Sequence, residues 1–279
     1  MDYLGLDETI KRALEEDIAH GDITTENLIA PEQKARGVFL AKTPGIVAGI
    51  EVSKRVFTLL DPDTEFEILK KDGEEIEPGD IIAVVRGRAR TLLTGERTAL
   101  NFLQRMSGIA SQTRRLVDMI KYSKSQLVDT RKTTPGLRVL EKYAVRVGGA
   151  RNHRFGLYDG VMIKDNHIQA VGSITQAISD LRQKVPHTVK IEVEVDNFEQ
   201  LHEALQAGAD IILLDNMDVY ELAQAVEAVE GQVLLEASGG INAGNIVEVA
   251  QTGVDFISMG ALTHSVHSLD ISLDFVAED

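Results

Sequence analysis

With 279 residues, 43% apolar and 26% charged, the chain has the composition of a globular protein and room for one large domain or two ordinary ones. It contains no cysteine, which excludes disulfides, thiolate zinc sites and a cysteine nucleophile. Its formal net charge of −15 argues against nucleic acid as a partner, because a polyanion needs a broad basic surface.

The opening stretch, "MDYLGLDETIKRALEED", is acidic and amphipathic, without the basic and apolar regions of a secretory signal. No apolar run approaches the roughly 18 residues of a membrane span, so the expectation is a cytoplasmic enzyme. Ile10 and Leu14, four apart, predict a first helix over "LDETIKRALEED". "GVFLAK" and "GIVAGI" predict short strands around Thr43, Pro44 and Gly45, followed by a helix in "EVSKRVFTLL". "EFEILK" alternates as a strand, and "EPGDIIAVVRGRAR" predicts a turn and a strand. A long helix follows in "TLLTGERTALNFLQRMSG", with Leu92, Leu93, Ala99, Leu100, Leu103 and Met106 near one face.

From about residue 110 strand and helix alternate. The strand candidates are "QLVDT", "GVMIKD", "VKIEVEV", "DIILLD", "VLLEAS" and "FISMG". The segments between them, such as "SITQAISDLRQKV", "NFEQLHEALQAG" and "VYELAQAVEAVEG", are amphipathic helices. Repeated βα units imply a parallel sheet. Every strand ends in charged or small polar residues: Asp129 with Arg131 and Lys132, Lys164 to His167, Glu192, Glu194 and Asp196, Asp215 and Asn216, Glu236 with Ser238 to Gly240, and Ser258 with Gly260. An open sheet places its site only at the switch point, whereas a barrel gathers all strand ends on one face, so a barrel is expected. The division is residues 1–107 as a first α/β domain and 108–267 as the barrel, with the tail 268–279 as an extra strand that could return to the first domain.

Charge is concentrated in one place. Residues 129–154 hold seven basic side chains (Arg131, Lys132, Arg138, Lys142, Arg146, Arg151, Arg154) against Asp129 and Glu141, a net +5 in a chain of −15. In an acidic protein this predicts a pocket for a small, highly charged anion. Arg138, Lys142 and Arg146 share a helix face by their spacing of four, and for Lys142 a solvated position is the simpler reading. Arg131, Lys132 and Arg154 adjoin strand ends or the turn "GGARNHR", where a planar guanidinium can grip a carboxylate or phosphate with two hydrogen bonds.

"IEVEVD" sets Glu192, Glu194 and Asp196 on one side of a strand and Ile191, Val193 and Val195 on the other. For Glu192, nearest the barrel floor, a salt-bridge lattice with lysines is plausible. Glu194 and Asp215 suit ribose hydroxyls or a divalent cation, and oxygen-only donors point to magnesium. "EASGGI" and "SMGAL" let backbone N–H groups approach an anion, as late barrel strands often do, although each could be an ordinary tight turn. His153 and His167 have no zinc-site spacing. Lys164 ends a strand, as a Schiff-base lysine of an aldolase would, but Asp165 beside it would keep it charged. A silent anion-binding protein is the third class of reading.

The blocks "EEDIAHGDIT", "ERTALNFLQRMSGIAS", "DTRKTTPGLRVLEKYAVRVGGARNHRFGLYDGVMIKDNHI", "EVEVDN", "DIILLDN", "EASGGI" and "ISMGALTHS" together resemble the quinolinate phosphoribosyltransferases, nearly end to end. Ala150 departs from the family's more usual third glycine without removing a charged group. The resemblance implies an N-terminal α/β sandwich and an incomplete, seven-stranded α/β barrel of the type II phosphoribosyltransferases. It implies a pentosyltransferase (nicotinate-nucleotide diphosphorylase, carboxylating). Its reaction turns quinolinate and phosphoribosyl pyrophosphate into nicotinate mononucleotide, carbon dioxide and pyrophosphate, with magnesium, in NAD synthesis. By the motif match, Thr130, Arg131, His153, Arg154 and Lys164 would bind quinolinate, with Arg97 reaching in from the partner of a homodimer; whether dimers assemble into a hexamer stays open. Lys132, Glu194 and Asp215 would be the catalytic group and would meet phosphoribosyl pyrophosphate together with Ser238, Gly239, Gly240, Gly260 and Ala261. Glu194 and Asp215 would hold magnesium, directly or through water.

Overall fold

The computed structural model describes residues 4–276; residues 1–3 and 277–279, the start of the first predicted segment and the end of the tail, lie outside the described residues. The elements run α1 (Leu6–Ile18), α2 (Ile23–Leu28), β1 (Lys34–Ala41), β2 (Gly45–Ile46), α3 (Ile50–Leu60), β3 (Glu65–Ile68), β4 (Glu75–Ile76), β5 (Ile81–Arg88) and α4 (Ala89–Ile120). They continue with β6 (Gln126–Val128), α5 (Arg138–Val147), β7 (Val161–Ile163), α6 (Asp165–Val171), α7 (Ile174–Lys184), β8 (Ile191–Val195) and α8 (Phe198–Gln206). The last are β9 (Ile211–Asp215), α9 (Val219–Val229), β10 (Leu234–Ser238), α10 (Ile246–Gln251), β11 (Phe256–Ser258), α11 (Ala261–His264) and β12 (Ile271–Val276). Two compact units result: one from residues up to Arg114 with 134–149 and 265 onward, the other from 115–133 and 150–264.

The first unit is built on an antiparallel sheet in the order β12-β1-β5-β3. Phe39 of β1, Phe57 of α3 and Phe66 of β3 form an aromatic cluster, with centroids 5.6 to 6.2 Å apart. The helix α4 runs well past the predicted end near residue 108 and buries Leu92, Ala99, Leu100, Leu103 and Met106. In "GIVAGI" only Gly45 and Ile46 pair as a strand. Gly49, at φ +94°, turns the chain into α3, and Val47, Ala48 and Ile50 are buried all the same. A short apolar run satisfies burial in either geometry, so pattern alone does not separate them. The sequence reading also passed over α2, β4, α6 and α11, which are short.

Lys142 corrects an expectation. It has no exposed surface, and α5 buries Leu140, Glu141, Lys142, Ala144 and Val145 together. One side of the helix is tied down by neighbours in its unit, while Arg146 stays exposed. Arg105 Nε of α4 donates to Glu141 Oε1 at 2.8 Å, Arg114 Nε to Gly148 O at 3.1 Å, and the Tyr143 hydroxyl to Asp72 at 2.7 Å. A spacing of four shows which residues share a face, but not whether that face meets water.

The second unit holds a parallel sheet in the order β6-β11-β10-β9-β8-β7. Its strands are the six read from the sequence, with near-continuous apolar runs, as expected where both faces are covered. The order winds in one direction and never reverses, so there is no switch point: the first strand lies beside the last, as in a barrel. The seventh strand implied by the resemblance is reduced to one bridge between Val128 and Arg151, where the Arg151 N–H donates to Leu127 O at 2.9 Å and the Asp129 N–H to Arg151 O at 3.2 Å. Among the described residues no helix is long and apolar enough to cross a membrane.

Candidate active site

The carboxyl ends of the parallel strands surround a cavity of about 500 Å³. Thr130, Arg131 and Lys132 enter it after β6, Lys164 after β7, Glu194 from β8, Asp215 from β9, and Ser238, Gly239 and Gly240 after β10; His153 and Arg154 follow the Arg151 bridge. Alternation explains the convergence. Ile191, Val193 and Val195 of β8 are buried, while Glu194 on the opposite face reaches the cavity. Gly260 lies just beside it, because a Cβ there would come within 2.9 Å of Lys132 Cδ. Ala261 begins α11 and does not line the cavity. Arg97 is exposed on α4 in the first unit and does not line it either.

The cations are held in specific ways. Lys164 Nζ is ion-paired with Glu194 Oε2, not with Asp165. Arg154 donates from NH1 to Gly160 O at 2.9 Å. Burial, and next the nearby Arg131 guanidinium, push Arg154 below its ordinary pKa, while Glu192 and Glu194 pull the other way. Two arginines that oppose each other in a half-buried cavity are relieved by an anion between them. The Lys132 N–H donates to Thr130 Oγ1 at 3.0 Å, and Thr263 Oγ1 donates to Lys132 O at 2.7 Å, which anchors the loop after β6. Gly239 has φ +91° and Gly240 φ +63°, and a Cβ on Gly239 would run into the Asn216 side chain. That turn requires glycine and leaves its backbone open to an incoming group.

Beneath the cations lies a layer that sequence reasoning did not assemble. Asp129 is fully buried and accepts the His153 N–H at 2.9 Å and Asn152 Nδ2 at 2.6 Å. His153 Nε2 faces Glu192 Oε2 at 3.1 Å and Glu236 Oε2 at 3.6 Å. Glu192 therefore meets a histidine instead of a lysine lattice. Glu192 and Glu236 come from alternate strands, β8 and β10, which contribute to one layer of a barrel interior. Burial, and next the Glu192 charge, push Glu236 up to about 7. The signal for Glu236 was a carboxylate inside the apolar run "VLLEAS".

Two family models span nearly the whole chain: "Quinolinate phosphoribosyl transferase, N-terminal domain" matches residues 22–107 and its "C-terminal domain" matches residues 109–274. The chain belongs to the quinolinate phosphoribosyltransferase family. Within that family it is 47% identical to the "Probable nicotinate-nucleotide pyrophosphorylase [carboxylating]" of Bacillus subtilis, over 98% of this chain and 94% of that protein. It is 44% identical to the nicotinate-nucleotide pyrophosphorylase [carboxylating] of Mycobacterium leprae, over 96% of each. The crystal structure of NadC from Streptococcus pyogenes superposes with a TM-score of 0.95 at 43% identity, covering 100% of both chains. The quinolinate phosphoribosyltransferase fold thus holds over both units.

Proposed function

We propose that this protein joins quinolinate to phosphoribosyl pyrophosphate with loss of carbon dioxide, giving nicotinate mononucleotide and pyrophosphate, as a step of NAD synthesis in the cytoplasm. The observation that carries this reading is the basic cavity itself. An acidic protein gathers Arg131, Lys132, Arg154 and Lys164 at one set of strand ends, facing Glu194 and Asp215. Both substrates are multiply anionic and would otherwise be repelled by the chain's own field.

In this reading Arg131 and Arg154, with Lys164, Thr130 and His153, hold the two adjacent carboxylates, and the relief of the Arg131–Arg154 repulsion favours a dianion. Arg97 completes the carboxylate clamp from the partner of a homodimer, and dimers are free to assemble further. Lys132 neutralises the departing pyrophosphate. The Ser238–Gly239–Gly240 turn, with Gly260 just beside it, cradles the 5′-phosphate through backbone N–H groups. Glu194 and Asp215 stabilise the positive charge that develops on the ribose while the pyridine nitrogen, held in line, attacks the anomeric carbon. The ring nitrogen becomes cationic and stabilises the electron pair left when the 2-carboxylate departs.

Magnesium fits these residues. Glu194 and Asp215 come from neighbouring parallel strands and offer only oxygen donors, the preference of a hard cation that keeps several waters. When bound, it supplies charge neutralisation to the pyrophosphate. The Schiff-base alternative loses ground because the Lys164 ammonium is paired with a carboxylate.

The test is to mix the protein with quinolinate, phosphoribosyl pyrophosphate and magnesium and to measure carbon dioxide and nicotinate mononucleotide. Arg131→Ala should lose on the order of 3 kcal/mol of transition-state stabilisation in kcat/KM, as for an anion left unpaired in a desolvated site. A variant with near-normal kcat/KM removes Arg131 from the clamp.

A further inference from the structure

One step of the proposed reaction has no assigned residue. When the bond from C2 to the departing carboxylate breaks, its electron pair stays on C2, and a proton must arrive there. The net reaction takes up one proton from solvent. None of the cations that grip the substrate can supply it without loosening that grip, and the donor has to reach C2 in the plane of the ring, on the side from which the carboxylate leaves.

We propose that the buried carboxyl group of Glu236 donates this proton to C2 and is recharged from a second cavity at the opposite end of the sheet. The inference rests on the reaction proposed above. Three observations support it. First, Glu236 is 3% exposed, lines the substrate cavity, and its Oε1 has no hydrogen-bond partner among the described residues. A buried polar atom left unpartnered beside a cavity is costly unless the cavity's occupant uses it. Secondly, the neighbouring imidazole directs its proton elsewhere. His153 Nδ1 accepts the Arg154 N–H at 2.7 Å, which leaves Nε2 to carry a ring proton, and Nε2 is nearer to Glu192 (3.1 Å) than to Glu236 (3.6 Å). Glu236 therefore has to hold a proton of its own or sit as a second bare carboxylate beside Glu192.

Thirdly, a refilling route exists. A second cavity, about 590 Å³, is lined by Val161, Lys190, Ile211 and Phe256 at the amino ends of the parallel strands. It shares His153, Arg154 and Glu236 with the substrate cavity, so Glu236 borders both ends of the sheet interior. The titratable groups around Glu236 are Glu192 of β8, His153, and Asp129 after β6, with the Ser258 hydroxyl of β11 as a hydrogen-bond partner. Burial and Glu192 raise its proton affinity, and Asp129 adds to them; His153 and Ser258 oppose them, and the outcome is a carboxyl titrating at about 7. A bound dianionic substrate adds further negative charge and holds the proton in place until decarboxylation. Donation forms the C2–H bond, leaves Glu236 as a carboxylate, and returns it to the acid by proton uptake from water in the second cavity.

The experiment is a pH profile of kcat between 5.5 and 9.5 at saturating quinolinate, phosphoribosyl pyrophosphate and magnesium, for the wild type, Glu236→Gln and Glu192→Gln. The wild type should lose kcat as pH rises through the carboxyl's titration, which substrate places at or above about 7. Glu236→Gln should be slower by on the order of 10²-fold, the usual contribution of a positioned acid, and should lack that alkaline limb. Its quinolinate affinity, measured by calorimetry, should stay within a few-fold, which separates lost donation from lost binding. Glu192→Gln removes the negative charge that raises Glu236, so its limb should move to lower pH. An unchanged limb in both variants, or wild-type kcat in Glu236→Gln, overturns the proposal. A wild type that forms no nicotinate mononucleotide overturns the reaction itself, a separate outcome.

Discussion

The two sheets apply the same alternation to opposite ends. In the antiparallel sheet, inward positions of β1 and β3 carry Phe39 and Phe66, which meet Phe57 in a core without ionisable groups among its three rings. In the parallel sheet, positions of β8 and β10 that face the interior carry Glu192 and Glu236. The first arrangement gains free energy from removing apolar surface from water; the second gives some of it up by desolvating carboxyl groups. The difference teaches where stability and chemistry are separated in this protein: one sheet interior is packed with rings, the other adds buried carboxyl groups to its apolar residues.

Substitutions should break that contrast in graded steps. Phe57→Ala removes one ring of the aromatic cluster and should lower unfolding free energy by about 4 kcal/mol in denaturant titration, the usual size for a large buried ring. Next comes the opposite kind of residue. Glu236 titrates near 7 in the folded protein and lower when unfolded, so the folded state binds the extra proton between those values. Stability from this group is complete below the unfolded pKa and is lost as pH rises through the folded one. Wild-type stability, measured relative to Glu236→Gln, should therefore fall by about 3 kcal/mol from acid to neutral pH and level off above about 7. A flat difference would mean that Glu236 does not carry the raised proton affinity. Smallest is Gly239→Ala, which forces a methyl into φ +91° and against Asn216. It should cost about 2 kcal/mol, read as a higher KM for phosphoribosyl pyrophosphate with quinolinate affinity unchanged.

Some of this was legible in residue order. Strand after strand ending in Lys, Glu, Asp or Gly-Gly indicated a barrel, and the observed strand order, with no reversal, agrees. The excess charge of residues 129–154 pointed to a pocket, and Arg131, Lys132 and Arg154 line a single cavity. Other parts were not legible. Lys142 shares its spacing with Arg138 and Arg146, yet it is buried because α5 lies in contact with α4 and with Asp72. Glu192 was expected beside lysines and meets His153, which is 39 residues away.

By itself the sequence determined local geometry and chemical inventory: which residues alternate across a strand, which sit at its end, where glycine permits a turn, and which motifs mark the family. Only the tertiary structure decided which groups are desolvated together, as with His153, Glu192 and Glu236, and which ion pairs form, as with Lys164 and Glu194. The physical reason is range. Backbone periodicity is set by neighbours a few residues apart, whereas the field at a buried carboxyl is set by whatever the fold brings within a few ångströms of it.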